Sequence, residues 1–240
     1  MSGHSKWATT KRAKAVVDAK RGNLFTKLSN NIVVAARQGG SNMDSNFKLR
    51  MAIDKAKAAS MPKENIERAI KRGTGELQGQ IIEETVYGGL LPGQYPVIIK
   101  CLSDNKNRTL NEIKTALQKG GGQLVDLNAV AWQFENKGVI KIKNQELKIN
   151  GEELEMKVIE AGPDDYEIGD DEITIYTKPE DLQRVKESLE KSGLKIDSAD
   201  LEMVAKEKKE VADREVEKIQ NIFEGLEELE DVSDYYTNIK

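Results

Sequence analysis

The chain has 240 residues, of which 38% are hydrophobic, 32% charged and only 5% aromatic, with a formal net charge of −4, one cysteine and one histidine. That length suffices for two or three compact domains. The composition argues against a ring-lined small-molecule pocket, a His/Cys metal cluster, a disulfide framework and a His-based nucleophilic triad.

The chain opens MSGHSKWATTKRAKAVVDAKRG, where Lys6, Lys11, Arg12, Lys14, Lys20 and Arg21 face a single acid, Asp18. It lacks the apolar core and cleavage site of a signal peptide, and no run of about 18 apolar residues offers a membrane span, so a cytoplasmic protein is expected. On a helix, Lys11, Lys14 and Arg21 fall near one face and could track phosphates. Trp7 reads either as the anchor that seats this arm or as a stacking surface for a base. His4 has no neighbour with which to hold a metal. The first 20 or so residues are expected to be the most mobile part.

Helical periodicity follows. Phe25, Leu28, Ile32, Ala35 and Ala36 mark a first helix closed by Gly39-Gly40, and Leu49, Ala52, Ile53, Ala56 and Ala59 mark a second. Pro62 fits the first position of a third, which carries Ile66, Ala69 and Ile70 and ends at Gly73. The stripes are narrow and Ala-rich, as suits a small, closely packed bundle. Lys27, Arg68, Lys71 and Arg72 add to its cations. Residues 1–75 hold 16 Lys and Arg against 5 Asp and Glu, a balance of +11; the remainder holds 21 against 36, a balance of −15. Because potential acts within roughly 8–10 Å at physiological salt, the local excess governs binding. Residues 1–75 are therefore expected to bind nucleic acid through its phosphates.

A glycine-rich linker, 73–79, leads to strands at 84–88 and 97–102, a capping box at 109–112 that opens a helix to Lys119, and a strand at 130–134. The linker glycines follow a helix rather than a strand, so they do not make a dinucleotide fingerprint. From Gly138 the pattern reads strand (139–142), helix (152–161), hairpin (166–168 and 173–176), helix (179–191) and strand (194–204). This βαββαβ order is the split-βαβ, ferredoxin-like plan. An amphipathic helix at 213–229 and a strand at 235–239 complete the ββαβ before it. The expected fold is thus α+β: a basic helical bundle, 1–75, and two ferredoxin-like α/β domains. The first of these, 80–136 plus 207–240, is interrupted by the second, 137–206.

Catalytic chemistry finds little footing. Cys101 lies in an apolar strand and reads as a buried thiol. The acidic run at 164–172 lacks the alternating order of a calcium loop and reads as a solvated turn. No catalytic residue, metal, cofactor or small-molecule substrate is expected.

Several blocks resemble the YebC family, including its mitochondrial translational-activator relatives. They are GHSKW at 3–7, DAKRG at 18–22, FTKL at 25–28, AAR-x-GG at 35–40, AIDKA at 52–56, MPKENIERAIKRG at 61–73, DNKNRT at 104–109, VAW-x-FE at 130–135 and LEDVSDYYTN at 229–238. The resemblance implies a helical first domain, two α/β domains, and a cytoplasmic DNA-binding transcriptional regulator or a translation factor that relieves ribosome stalling on proline-rich stretches. After Trp7 the chain departs from the family's usual ANIKHRK, keeping Lys11 and Lys14 but losing a histidine. Its Tyr87-Gly-Gly-Leu-Leu-Pro92-Gly-Gln94 likewise departs from a Gly-rich loop. The expected partner is ribosomal RNA at the ribosome or, as the alternative, duplex DNA.

Overall fold

The computed structural model describes residues 18–143, 151–169 and 172–240. Three helices follow the Ala-rich stripes: α1 (Asp18–Gly39), α2 (Phe47–Ala58) and α3 (Lys63–Thr74). They bury Ile32, Val33, Leu49, Ala56, Ile66 and Ala69 in a core that also takes in Ile82 and Leu102. A Cβ on Gly73 would lie 2.5 Å from the Val33 carbonyl oxygen and 2.7 Å from the Ala36 Cβ. The α1–α3 crossing is therefore closer than any side chain at that position permits. Asn46 fastens the turn before α2. Its Oδ1 accepts the Leu49 N–H at 3.0 Å, and its Nδ2 donates to the carbonyls of Ala35 and Gly40, each at 2.8 Å. Pro62 caps α3 rather than opening it, and the helix passes Gly73 to end at Gly75, whose φ is +83°.

Next come β1 (Glu83–Leu91), β2 (Tyr95–Ser103), α4 (Lys106–Lys119), β3 (Gln123–Val125) and a short helical turn, α5 (Asn128–Ala131). α4 starts earlier than the expected capping box, because Asn105 is its cap and accepts the Arg108 N–H at 3.1 Å. Thr109 then lies inside the helix. The strand expected at 130–134 is absent. The Asp126 carboxylate accepts the Asn128 N–H at 2.8 Å and turns the chain into α5. Val130 is a buried plug on Gly88 rather than a strand residue: a Cβ on Gly88 would lie 2.9 Å from both the Leu127 Cα and the Val130 side chain.

Then follow β4 (Phe134–Lys143), α6 (Gly151–Glu160), β5 (Asp165–Ile168), β6 (Glu172–Thr177), a 3-10 turn (Pro179–Asp181), α7 (Leu182–Lys191) and β7 (Ser198–Ala205). Their antiparallel sheet has the order β5-β6-β4-β7, that of a split βαβ unit. The pairs Ile140–Ile175 and Ile142–Ile173 share one face. They are buried together with Leu154 and Val158 of α6 and Leu182, Val185 and Leu189 of α7.

The chain closes with α8 (Asp213–Glu228) and β8 (Val232–Thr237). The other sheet has the order β3-β1-β2-β8, all antiparallel. This corrects the expectation of two ferredoxin-like domains, since here the consecutive strands β1 and β2 form a central hairpin and no helix-connected strand lies between them. The hairpin turns on Gly93 and Gln94, with φ of +81° and +64°. β2 is buried on both faces over Pro96–Ile99, which explains why those apolar residues do not alternate with polar ones. Phe223 of α8 stacks on Tyr235 of β8 with ring centroids 4.8 Å apart. The described residues of 18–133 and 210–237 form one compact unit, and those of 134–209 and 238–240 another. Among the described residues, no helix is long and apolar enough to cross a membrane.

Candidate nucleic-acid interface

The bundle presents its cations in two ways. Arg68 and Lys71 lie one turn apart on the exposed side of α3, opposite the buried Ile66 and Ala69. Lys57 of α2 is also exposed and makes no ion pair among the described residues. In all, residues 22–75 carry ten Lys and Arg against four Asp and Glu. Lys27 points elsewhere: its Nζ donates to the Glu227 carbonyl at 2.7 Å, and Asn23 Nδ2 donates to that of Glu228 at 2.9 Å. Both therefore satisfy carbonyls at the C-terminus of α8. Lys20 and Arg21 fall on the first turn of α1. His4, Lys6, Trp7, Lys11, Arg12 and Lys14, and the expected mobility of their segment, lie outside the described residues.

Arg72, one turn beyond Arg68, lines a cleft of about 610 Å³ that also takes in Thr26, Asn30, Gln80, Asp104, Arg108, Glu112, Glu228, Glu230 and Asp231. Among the described residues, Lys27 and Arg72 thus face other partners than Arg68 and Lys71 do.

Behind the cleft lies a buried polar lock that sequence reasoning missed. Asp231, 8% exposed, accepts on Oδ2 the hydroxyls of Ser103 at 2.9 Å and Thr109 at 2.6 Å and the guanidinium of Arg108 at 2.8 Å. Arg108 also reaches Asp104 at 2.8 Å. The Leu102 N–H donates to the Asp231 carbonyl at 2.8 Å. Burial is the largest single influence on the Asp231 carboxyl and opposes its ionisation. The bonds from Thr109, Arg108 and Ser103 together outweigh it and hold the group below the usual carboxylate range. The lock joins the β2–α4 loop to the α8–β8 loop. The blocks DNKNRT and LEDV contain three of its four members, but their separation of more than a hundred residues gives no hint that they meet.

Among the described residues no cluster of three His, Cys, Asp or Glu could hold a metal. Cys101 is fully buried. Burial first, and the Asp231 charge second, push its thiol up to about 12, so it is no nucleophile near neutral pH.

Comparison with known proteins gives a family. Residues 5–76 match the TACO1/YebC protein N-terminal domain, and residues 82–239 the TACO1/YebC second and third domain. A probable transcriptional regulatory protein of Pseudothermotoga lettingae is 47% identical over 240 residues, spanning all of this chain and 94% of its own. One of Thermotoga maritima is 45% identical over the same shares. The crystal structure of a conserved hypothetical protein from Aquifex aeolicus superposes with a TM-score of 0.86 at 42% identity, covering 95% of this chain and 93% of that one. With both domain descriptions and whole-length relatives in agreement, the chain belongs to the TACO1/YebC family.

Proposed function

We propose that the protein is a non-enzymatic, cytoplasmic, nucleic-acid-binding regulatory factor whose basic bundle docks on ribosomal RNA, leaving its α/β domains to act at a functional centre and relieve stalling on proline-rich stretches. Residues 137–206 would be an inserted domain in this arrangement. The reading is carried by the bundle, where exposed cations are available while Asn31 and Gln38, two of the amides that could read bases, are already engaged. Asn31 donates to the Lys27 carbonyl at 3.0 Å, Gln38 accepts Lys48 at 3.3 Å, and Asn46 is buried in its cap. Such a surface favours phosphates and shape over base edges, which suits folded RNA better than an operator. The second reading, a duplex-DNA-binding transcriptional regulator, is favoured by the names of the relatives.

Co-sedimentation with 70S ribosomes, run beside titration with specific and random duplex DNA at physiological salt, separates the two. Ribosome binding without preference among duplexes is expected. Failure to sediment, together with strong preference for one duplex, would establish the transcriptional reading instead.

A further inference from the structure

α8 ends against its own dipole. Its last turn holds Glu227 and Glu228 and no basic residue, and Glu230 follows, although a helix C-terminus carries partial negative charge and favours cations. Part of this is relieved from within: Lys27 and Asn23 cover the last carbonyls, and the Tyr235 hydroxyl donates to Glu227 at 2.9 Å. The carboxylates of Glu228 and Glu230 gain no hydrogen bond or ion pair among the described residues, and neither does that of Glu112 on α4, in the same cleft. The cleft's two other carboxylates, Asp104 and Asp231, are taken up by Arg108, and its remaining lining includes groups that can donate. Arg72 has no side-chain partner among the described residues, and Asn30 and Gln80 contribute free amides.

A nucleic-acid phosphate entering here would meet two guanidiniums, of which Arg108 is already paired with Asp104 and Asp231, and three uncompensated carboxylates. A peptide rich in Lys or Arg meets the reverse: acceptors and the negative end of a helix for its cations, and fixed N–H donors for its main-chain carbonyls. The volume of about 610 Å³ accommodates a few such residues. We propose that this cleft is a docking groove for a basic peptide segment of a partner protein, seated with its cations among Glu112, Glu228 and Glu230 and its carbonyls on Arg72, Asn30 and Gln80. Arg68 and Lys71 lie outside the groove, so peptide and nucleic acid would not compete for one surface.

Fluorescence anisotropy with a labelled Lys/Gly peptide, and with its Glu/Gly counterpart, tests this on the full chain. The Lys/Gly peptide should bind and the Glu/Gly peptide should not. The E112Q/E228Q/E230Q variant should weaken binding about tenfold, whereas the charge-matched E180Q/E207Q/E217Q variant should weaken it far less. An equal loss in both variants, or no binding to the native chain, would overturn the proposal. Affinity for a ribosomal RNA fragment, measured on the same samples, is expected not to fall in the first variant. Loss of RNA binding by the native chain would count against the proposed function alone, and absence of peptide binding against the groove alone.

Discussion

Asp231→Ala removes the shared acceptor of the polar lock, and the structure sets the size of the effect. The hydroxyls of Ser103 and Thr109 both lose a charged acceptor, but the Thr109 proton can turn to the Ser103 oxygen at 2.8 Å or to the Asn105 carbonyl at 3.0 Å. About 1–1.5 kcal/mol for each hydroxyl is therefore appropriate. Arg108, 45% exposed, retains Asp104, so its loss adds less than about 1 kcal/mol. The expected destabilisation is about 3 kcal/mol, read as a lower urea midpoint by circular dichroism at neutral pH. Acid provides the second arm. The folded carboxyl is held below its unfolded value of about 3.9, so its contribution is complete above that pH and disappears as pH falls through the folded value. Asp231→Asn should therefore trail the native chain at pH 7 and converge on it as pH falls through the folded value. A loss under about 0.5 kcal/mol for Asp231→Ala, or a gap to Asp231→Asn that does not change with pH, would refute the lock as a fastening.

Other substitutions probe the scaffold. Gly73→Ala forces apart α1 and α3, whose atoms already fill the space of a Cβ, and should cost about 1–3 kcal/mol in chemical denaturation. Asn46→Ala strips a cap and leaves two carbonyls without their donor, for an expected loss of about 2–3 kcal/mol. Cys101 should resist iodoacetamide at pH 8 in the folded protein and react once urea exposes it; rapid labelling of the native state would contradict its burial.

Much of the fold was legible because its signals are local. The helical stripes of the bundle, the double-sided burial of β2 and the βαββαβ order each follow from periodicity within a dozen residues. Val130 misled because a β-branched residue in an apolar run looks the same whether it joins a ladder or plugs a glycine. β3, only three residues long, carries too few positions to show alternation. The order of the β3-β1-β2-β8 sheet depends on partners far apart in sequence, which period alone cannot supply. The candidate interface was half legible. Charge counting finds the basic bundle, but it cannot tell that Lys27 is spent on a helix end and Arg72 turned into a cleft, while Arg68 and Lys71 stay outward.

The claim at the centre is that the bundle holds nucleic acid by neutralising phosphates. The salt dependence of affinity for a structured ribosomal RNA fragment tests it most directly, in the native chain and in an R68E/K71E variant, whose replaced residues are exposed and hold up no part of the core. If each of these cations neutralises a phosphate, the slope of log affinity against log salt should become shallower by about 0.7–0.9 for each one lost, with weaker binding at every salt concentration. An unchanged slope and affinity would contradict the account.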